Sequence, residues 1–187
     1  MKMAVLLSGS GRTLDNFHEQ IQAGNLKARI EVVVSNNADA LGLTKAKKYG
    51  YPAFHARNEE INGVLENFDI ELICLAGYLK LYVPPDHLKR AVLNIHPSLI
   101  PMYCGEGMYG MRVHRAVHAR GLKVSGCTVH FADEIYDEGP IVVQKCVALS
   151  DNDTPEDIAA RVFEAECDAY PEAINKVVSR GIGSFWP

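Results

Sequence analysis

"MAVLLSGSGRTLDNFHEQI", residues 3–21, is the stretch whose reading decides the fold. Met3 to Leu7 form a continuous apolar run of strand length, while Leu14, Phe17 and Ile21 recur at i, i+3 and i+7, one face of a helix. Between them lies SGSGRT (8–13), a glycine turn. A strand apolar on both faces, a tight turn and an amphipathic helix together open a βαβ unit. The apolar run is too short for a signal peptide and leads straight into the turn, so it reads as a first strand.

The same alternation continues along the chain. Ile30 to Val34, Ile70 to Ala76 and Ala91 to Ile95 are further buried-strand candidates, and residues 38–50 read as a helix ending at Gly50. After residue 122 the pattern changes to two longer strands, 124–132 and 140–149, joined by an acidic loop, as expected of an antiparallel or mixed edge. A long helix follows, with Thr154 as N-cap, Pro155 at its first position and Asp157 three residues after the cap. Ile158, Val162, Ala165 and Ala169 form its core-facing stripe. The expected fold is a single Rossmann-like α/β domain over 1–187: a mostly parallel sheet, helices on both faces and a mixed C-terminal edge.

Composition narrows the function classes. The chain has 187 residues, 48% hydrophobic and 22% charged, with a net charge of −4 and no Lys/Arg block, which argues against nucleic-acid binding. No apolar run approaches membrane-spanning length. The five cysteines are odd in number and never spaced C-x-x-C. Cys74, Cys127 and Cys146 lie in apolar runs, so reduced core thiols in a cytoplasmic protein are expected.

Two segments carry candidate chemistry. The glycine turn delivers the free N–H groups of a helix N-terminus to an anion, with Arg12 as an added donor. A dinucleotide fingerprint would need a third glycine where Leu14 stands, and SNNADA (35–40) has no acidic residue at its opening for a ribose. Both points argue against a nicotinamide cofactor. A phosphate monoester fits better, and a glycine turn of purely structural purpose remains the alternative.

The second segment is LNIHPSLIP (93–101). Side chains alternate along a strand, so Asn94 and His96 share a face, with Ile95 on the other, and Pro97 stops the strand. That places both polar groups at the carboxyl end of a parallel strand, where open α/β sheets bind ligands. The loop HFADEIYDEGP (130–140) concentrates Asp133, Glu134, Asp137 and Glu138. A carboxylate brought beside His96 would raise its pKa and orient the ring. Asn, His and Asp could then form an acyl-transfer site. His114 and His118 are four apart, but the RAV between them has no glutamate, so a metal site is not expected.

NIHPSLIP, VHF and DEIYDEGP, taken in order, resemble the signature of the folate-dependent formyltransferases, and LLSGSGRTL resembles the branch acting on glycinamide ribonucleotide. The resemblance covers nearly the whole chain. It implies formyl transfer from 10-formyltetrahydrofolate to the amine of phosphoribosylglycinamide in purine biosynthesis, with no metal. It puts the catalytic set on Asn94, His96 and Asp137. The acceptor phosphate falls to Gly11, Arg12 and Thr13, and the acceptor-binding glutamate of the long helix is Glu166. AGYLKLYVP resembles the folate-contacting stretch, assigning Leu79, Lys80, Leu81 and Tyr82 to the pterin pocket together with Asn94, and leaving Arg57 as a further folate contact. Residues 1–92 are then the acceptor phosphate-binding half, and 93–187 the catalytic loop, folate side and C-terminal helix. Asn94 and protonated His96 would stabilise the oxyanion, and Asp137 would support the histidine charge and help move the amine proton.

Within the family, a formyltetrahydrofolate hydrolase would carry a regulatory domain before the first strand. A methionyl-tRNA formyltransferase would add a C-terminal RNA-binding extension and a basic surface. A formyltransferase of amino nucleotide-sugars, or a non-catalytic ligand-binding regulator on the same fold, are the remaining alternatives. MYCGEGMYGMRV (102–113) is longer than the family's short Gly-Leu-His loop and bears on which acceptor is used.

Overall fold

The computed structural model describes residues 1–187. Seven strands form one sheet in the order β3-β2-β1-β4-β5-β6-β7. They span Lys2–Leu7 (β1), Arg29–Ser35 (β2), Ala53–His55 (β3), Leu72–Leu75 (β4), Val92–His96 (β5), Val124–Phe131 (β6) and Ile141–Ala148 (β7). β1 to β5 pair in parallel, and β6 and β7 add antiparallel. The expected α/β architecture with a mixed C-terminal edge is borne out. One sheet runs through residues 1–92 and 93–187, joined by the β4–β5 ladder, in which Ile73 sits opposite Val92.

β1 shows why a continuous apolar run was needed. Met3, Val5 and Leu7 belong to the core on one face, and Ala4 and Leu6 to the core on the other, all fully buried. Cover is uneven between the faces. Helices α1 (Arg12–Gln22), α2 (Leu41–Lys48), α4 (Met111–Ala119) and α5 (Pro155–Arg180) contribute to the first core. Short α3 (Ile61–Leu65) and the turn at Leu88 contribute to the second. No helix is long and apolar enough to cross a membrane.

α5 starts as its sequence requires: Thr154 accepts from the Asp157 backbone N–H, and the Asp157 carboxylate reaches back to the Thr154 N–H. Ile158, Val162 and Ala169 are buried, with Ala165 packed beside them. Tyr170 then ties the helix to the sheet. Its buried hydroxyl donates toward the carbonyls of Leu75 (3.1 Å), the last residue of β4, and Leu93 (2.8 Å), near the start of β5. The strands that carry the cleft are thereby clamped from behind.

One expectation about the thiols fails. All five cysteines are free and Cys74 and Cys127 are buried, but Cys146 is exposed. β7 is an edge strand with one face turned to solvent, so its apolar run reaches the buried core on one face only, through Val143, and Cys146 lies on the other.

Candidate active site

The strand order reverses between β1 and β4, and ligands bind at such switch points. A cleft of about 440 Å³ opens there. It is walled by the start of α1, the segment after β4, the end of β5, the β6–β7 loop and α5.

At one end lies the glycine turn. Gly11 caps α1 with φ +71°, and a Cβ there would stand 2.7 Å from the Gly42 Cα. Only glycine combines that left-handed backbone with so close an approach. Gly11 sits behind the cleft, while Arg12 and Thr13 line it. No side chain caps α1, so its first N–H groups stay available to an anion. The Arg12 guanidinium lies 3.5 Å from the centre of the Phe163 ring on α5. One turn further on, Glu166 lines the same end. Its side chain is only partly exposed, and burial pushes its carboxyl up to about 7 despite the opposing pull of Arg12.

The middle of the cleft is denser in hydrogen bonds. Asn94, His96 and Asp137 all line it, and Ile95 does too because the cleft wraps around the strand end. The antiparallel register sets His130 opposite Asn94. Asn94 Nδ2 lies 3.1 Å from His130 Nε2, which in turn is 3.4 Å from Asp137 Oδ1. The other carboxylate oxygen is 3.4 Å from His96 Nδ1 and accepts from the Gly105 backbone N–H at 2.8 Å. His96 Nε2 donates to the Tyr103 carbonyl at 2.8 Å. The carboxylate is thus held between two histidines.

Its backbone is special as well. Asp137 has φ +62°, a left-handed conformation that Asp tolerates better than most residues. The return of the loop passes so close that a Cβ on Gly139 would lie 1.9 Å from the Phe131 carbonyl oxygen. Tyr103, with φ +47°, is the only other non-glycine residue with positive φ. Both strained residues hold the same histidine.

Burial and charge compete here. Burial alone would raise the Asp137 pKa, but the facing His130 ring, the His96 charge and the Gly105 N–H hold it below the usual carboxylate range. For His96, burial lowers the pKa and outweighs the lift from Asp137 and the Tyr103 carbonyl. These partners pull in opposite senses, since the carboxylate gains from a charge that burial discourages. We take Asp137 as ionised and His96 as titrating below the ordinary histidine range, because His96 is 3% exposed and the pair is a loose 3.4 Å. The expectation of a raised histidine pKa is therefore corrected: the carboxylate lifts it, but desolvation depresses it by more.

The other end is apolar. Leu79, Lys80, Leu81 and Tyr82 line it from the irregular segment after β4. That segment is pinned by Leu79 N–H to Ser8 Oγ (3.1 Å), Tyr82 hydroxyl to Asn62 (2.6 Å) and Asn58 Nδ2 to the Leu81 carbonyl (3.2 Å). Leu79 and Leu81 remain 54% and 37% exposed, presenting apolar surface to the cleft. Arg57 is not brought there. Its guanidinium pairs with Glu59 and Glu60 on the surface, and the neighbouring Asn58 holds the wall.

His130 and Phe163 were not singled out from sequence, whereas the 102–113 segment was, and Gly105 to Met111 line the cleft apart from Glu106. His130 was within reach, since pairing β5 with β6 places it opposite Asn94. His114 is buried and lines the cleft, with no hydrogen-bond partner for its Nδ1, whereas His118 is exposed. No group of three or more His, Cys, Asp or Glu side chains is placed to hold a metal ion.

Fold and site define an open α/β protein whose switch-point cleft joins an uncapped helix terminus to a connected Asn–His–Asp set. Known proteins refine this. The formyl transferase family model matches residues 1–174, and the chain belongs to that family. It is 38% identical to phosphoribosylglycinamide formyltransferase of Haemophilus influenzae, over 92% of this chain and 85% of that one. It is also 38% identical to the chloroplastic phosphoribosylglycinamide formyltransferase of Vigna unguiculata, covering 97% of this chain but spanning only 62% of the plant protein's length. Glycinamide ribonucleotide transformylase 1 of Symbiobacterium toebii superposes with a TM-score of 0.87 at 35% identity, over 96% of this chain and 88% of that one.

Proposed function

We propose that this protein transfers a formyl group from 10-formyltetrahydrofolate to the amine of N1-(5-phosphoribosyl)glycinamide, giving formylglycinamide ribonucleotide and tetrahydrofolate, in purine biosynthesis. The observation that carries this reading is the placement of Arg12, Thr13 and Glu166 in one cleft with Asn94, His96 and Asp137. The acceptor phosphate binds at the α1 N-terminus with Arg12. Glu166 accepts hydrogen bonds from the acceptor, and its ionisation is eased as the Arg12 charge opposes its burial. The folate ring system lies along Leu79, Lys80, Leu81 and Tyr82, where flat apolar surface and fixed backbone groups suit a heterocycle.

In the reaction the amine nitrogen bonds to the formyl carbon, the bond from that carbon to the folate nitrogen breaks, and one proton passes from the amine to the folate nitrogen. Asn94 donates an N–H to the developing oxyanion. His96 acts mainly through its positive charge when protonated, because Asp137 and the Tyr103 carbonyl face its two ring nitrogens. Asp137, ionised and at the cleft wall, receives and returns the proton directly or through water.

The test is purified protein with 10-formyldideazafolate and the ribonucleotide, following the deformylated folate by absorbance. Transfer that requires both substrates is expected. No transfer, or equal transfer to an amino nucleotide-sugar, overturns the assignment.

A further inference from the structure

An asparagine can serve as an oxyanion donor only if its NH2 end, not its carbonyl end, faces the reacting group. The two ends have nearly the same shape, so a neighbour has to decide between them. The neighbour of Asn94 is His130, 1% exposed and fixed opposite it by the β5–β6 register.

The tautomer of His130 follows from its other contact. Nδ1 lies 2.9 Å from the Phe131 carbonyl oxygen. A carbonyl only accepts, so Nδ1 carries a proton and, in the neutral ring, Nε2 is a bare lone pair. That lone pair faces Asn94 at 3.1 Å, and only an N–H can meet it. One proton of Asn94 Nδ2 is committed to His130, and the second belongs to the same, now oriented, NH2 group. We propose that His130 is a positioning residue: its Nδ1–H tautomer selects the carboxamide orientation in which Asn94 can donate to the formyl oxygen. This rests on the formyl-transfer reading above.

A contrary state is easily defined. A charged His130 would donate Nε2–H toward Asp137 Oδ1, 3.4 Å away, and would oppose one N–H with another at Asn94. Asn94 would then turn its carbonyl to the ring. The neutral ring and the oriented amide therefore stand or fall together.

Two measurements test this. Ring ¹⁵N NMR of the unliganded wild type at neutral pH should show His130 protonated at Nδ1 and bare at Nε2; a bare Nδ1 or a doubly protonated ring overturns the proposal. His130→Leu keeps bulk but offers no acceptor, and should slow the single-turnover formyl transfer by about 10²-fold with both substrate affinities nearly unchanged, as for a misplaced catalytic group. His130→Gln restores an acceptor near the Nε2 position and should recover most of that loss. A leucine variant with an unimpaired chemical step, or a glutamine variant no better than leucine, also overturns it. If His130→Leu does not fold, the NMR result and the glutamine variant still decide. A wild type that transfers no formyl group sinks the functional reading, whereas a wrong tautomer in an active wild type sinks this inference alone.

Discussion

The glycine-turn end of the cleft and its centre are built on opposite principles. At the α1 end the charged groups have few partners: Arg12 rests on an aromatic ring, the α1 N-terminus has no side-chain cap, and burial pushes the Glu166 carboxyl up to about 7. In the centre the polar side chains lie in one connected series, Asn94, His130, Asp137 and His96, ending on the Tyr103 carbonyl. The first arrangement leaves binding energy to be realised by a ligand. The second fixes geometry before any ligand arrives, which is what transition-state stabilisation requires.

The largest effects should come from the preorganised centre. Asn94→Ala and His96→Ala should each lower turnover by on the order of 10²–10³-fold, the usual loss for an oxyanion-stabilising group, while acceptor affinity changes little. Steady-state and single-turnover kinetics check this. Near wild-type turnover in either variant removes that residue from the proposed chemistry.

Asp137→Asn should act through pH. The carboxylate raises the His96 pKa against burial, so removing its charge lets that pKa fall further. The limb of the pH–rate profile that needs protonated His96 should therefore move to lower pH, with reduced turnover at neutral pH and partial recovery on acidification. An unchanged His96 titration by NMR would show that Asp137 does not work through the histidine charge.

Glu166→Gln separates function from stability. The folded pKa is raised to about 7 from 4.5, so the folded chain binds more protons between these values and stability is lost as pH rises across that window. The neutral amide should consequently be the more stable protein above neutrality and the weaker acceptor binder. Thermal melts at two pH values, one on each side of the window, measure the first part; a stabilisation that does not grow with pH contradicts it. Smallest is Tyr170→Phe, which leaves the shape and removes the hydroxyl shared by the Leu75 and Leu93 carbonyls. Denaturant unfolding should register a loss of about 1–3 kcal/mol. A neutral substitution would mean that packing alone seats α5.

The same contrast explains what could be read from sequence. β1, β2, β4, β5 and the α5 cap were legible because buried parallel strands are continuously apolar and a capping box is a local signal, whereas the three-residue, largely exposed β3 was not. Asn94, His96 and Asp137 stood out as polar groups beside strand ends. The partners that organise them did not: the carbonyl of Tyr103 and the N–H of Gly105 are backbone groups with no side-chain signature. The sign of the His96 shift was misread because sequence shows a nearby carboxylate but not a ring that is 3% exposed. Arg57 lies outside the cleft lining because two adjacent glutamates compete for it locally. Cys146 was misplaced because an edge strand can look like a core strand in sequence.

The division of labour within the cleft is tested most directly by one paired measurement on Arg12→Ala and Asn94→Ala. Calorimetry gives the affinity of each protein for acceptor and for folate, and single-turnover kinetics at saturating substrates gives the chemical step. Arg12→Ala should bind the phosphorylated acceptor more weakly, with folate affinity and the saturated rate nearly unchanged, because the anion sits at the α1 N-terminus away from the folate wall. Asn94→Ala should show the reverse, with affinities kept and the chemical step lost. Equal losses of both ligands in Arg12→Ala, or a chemical step as slow there as in Asn94→Ala, would contradict the account.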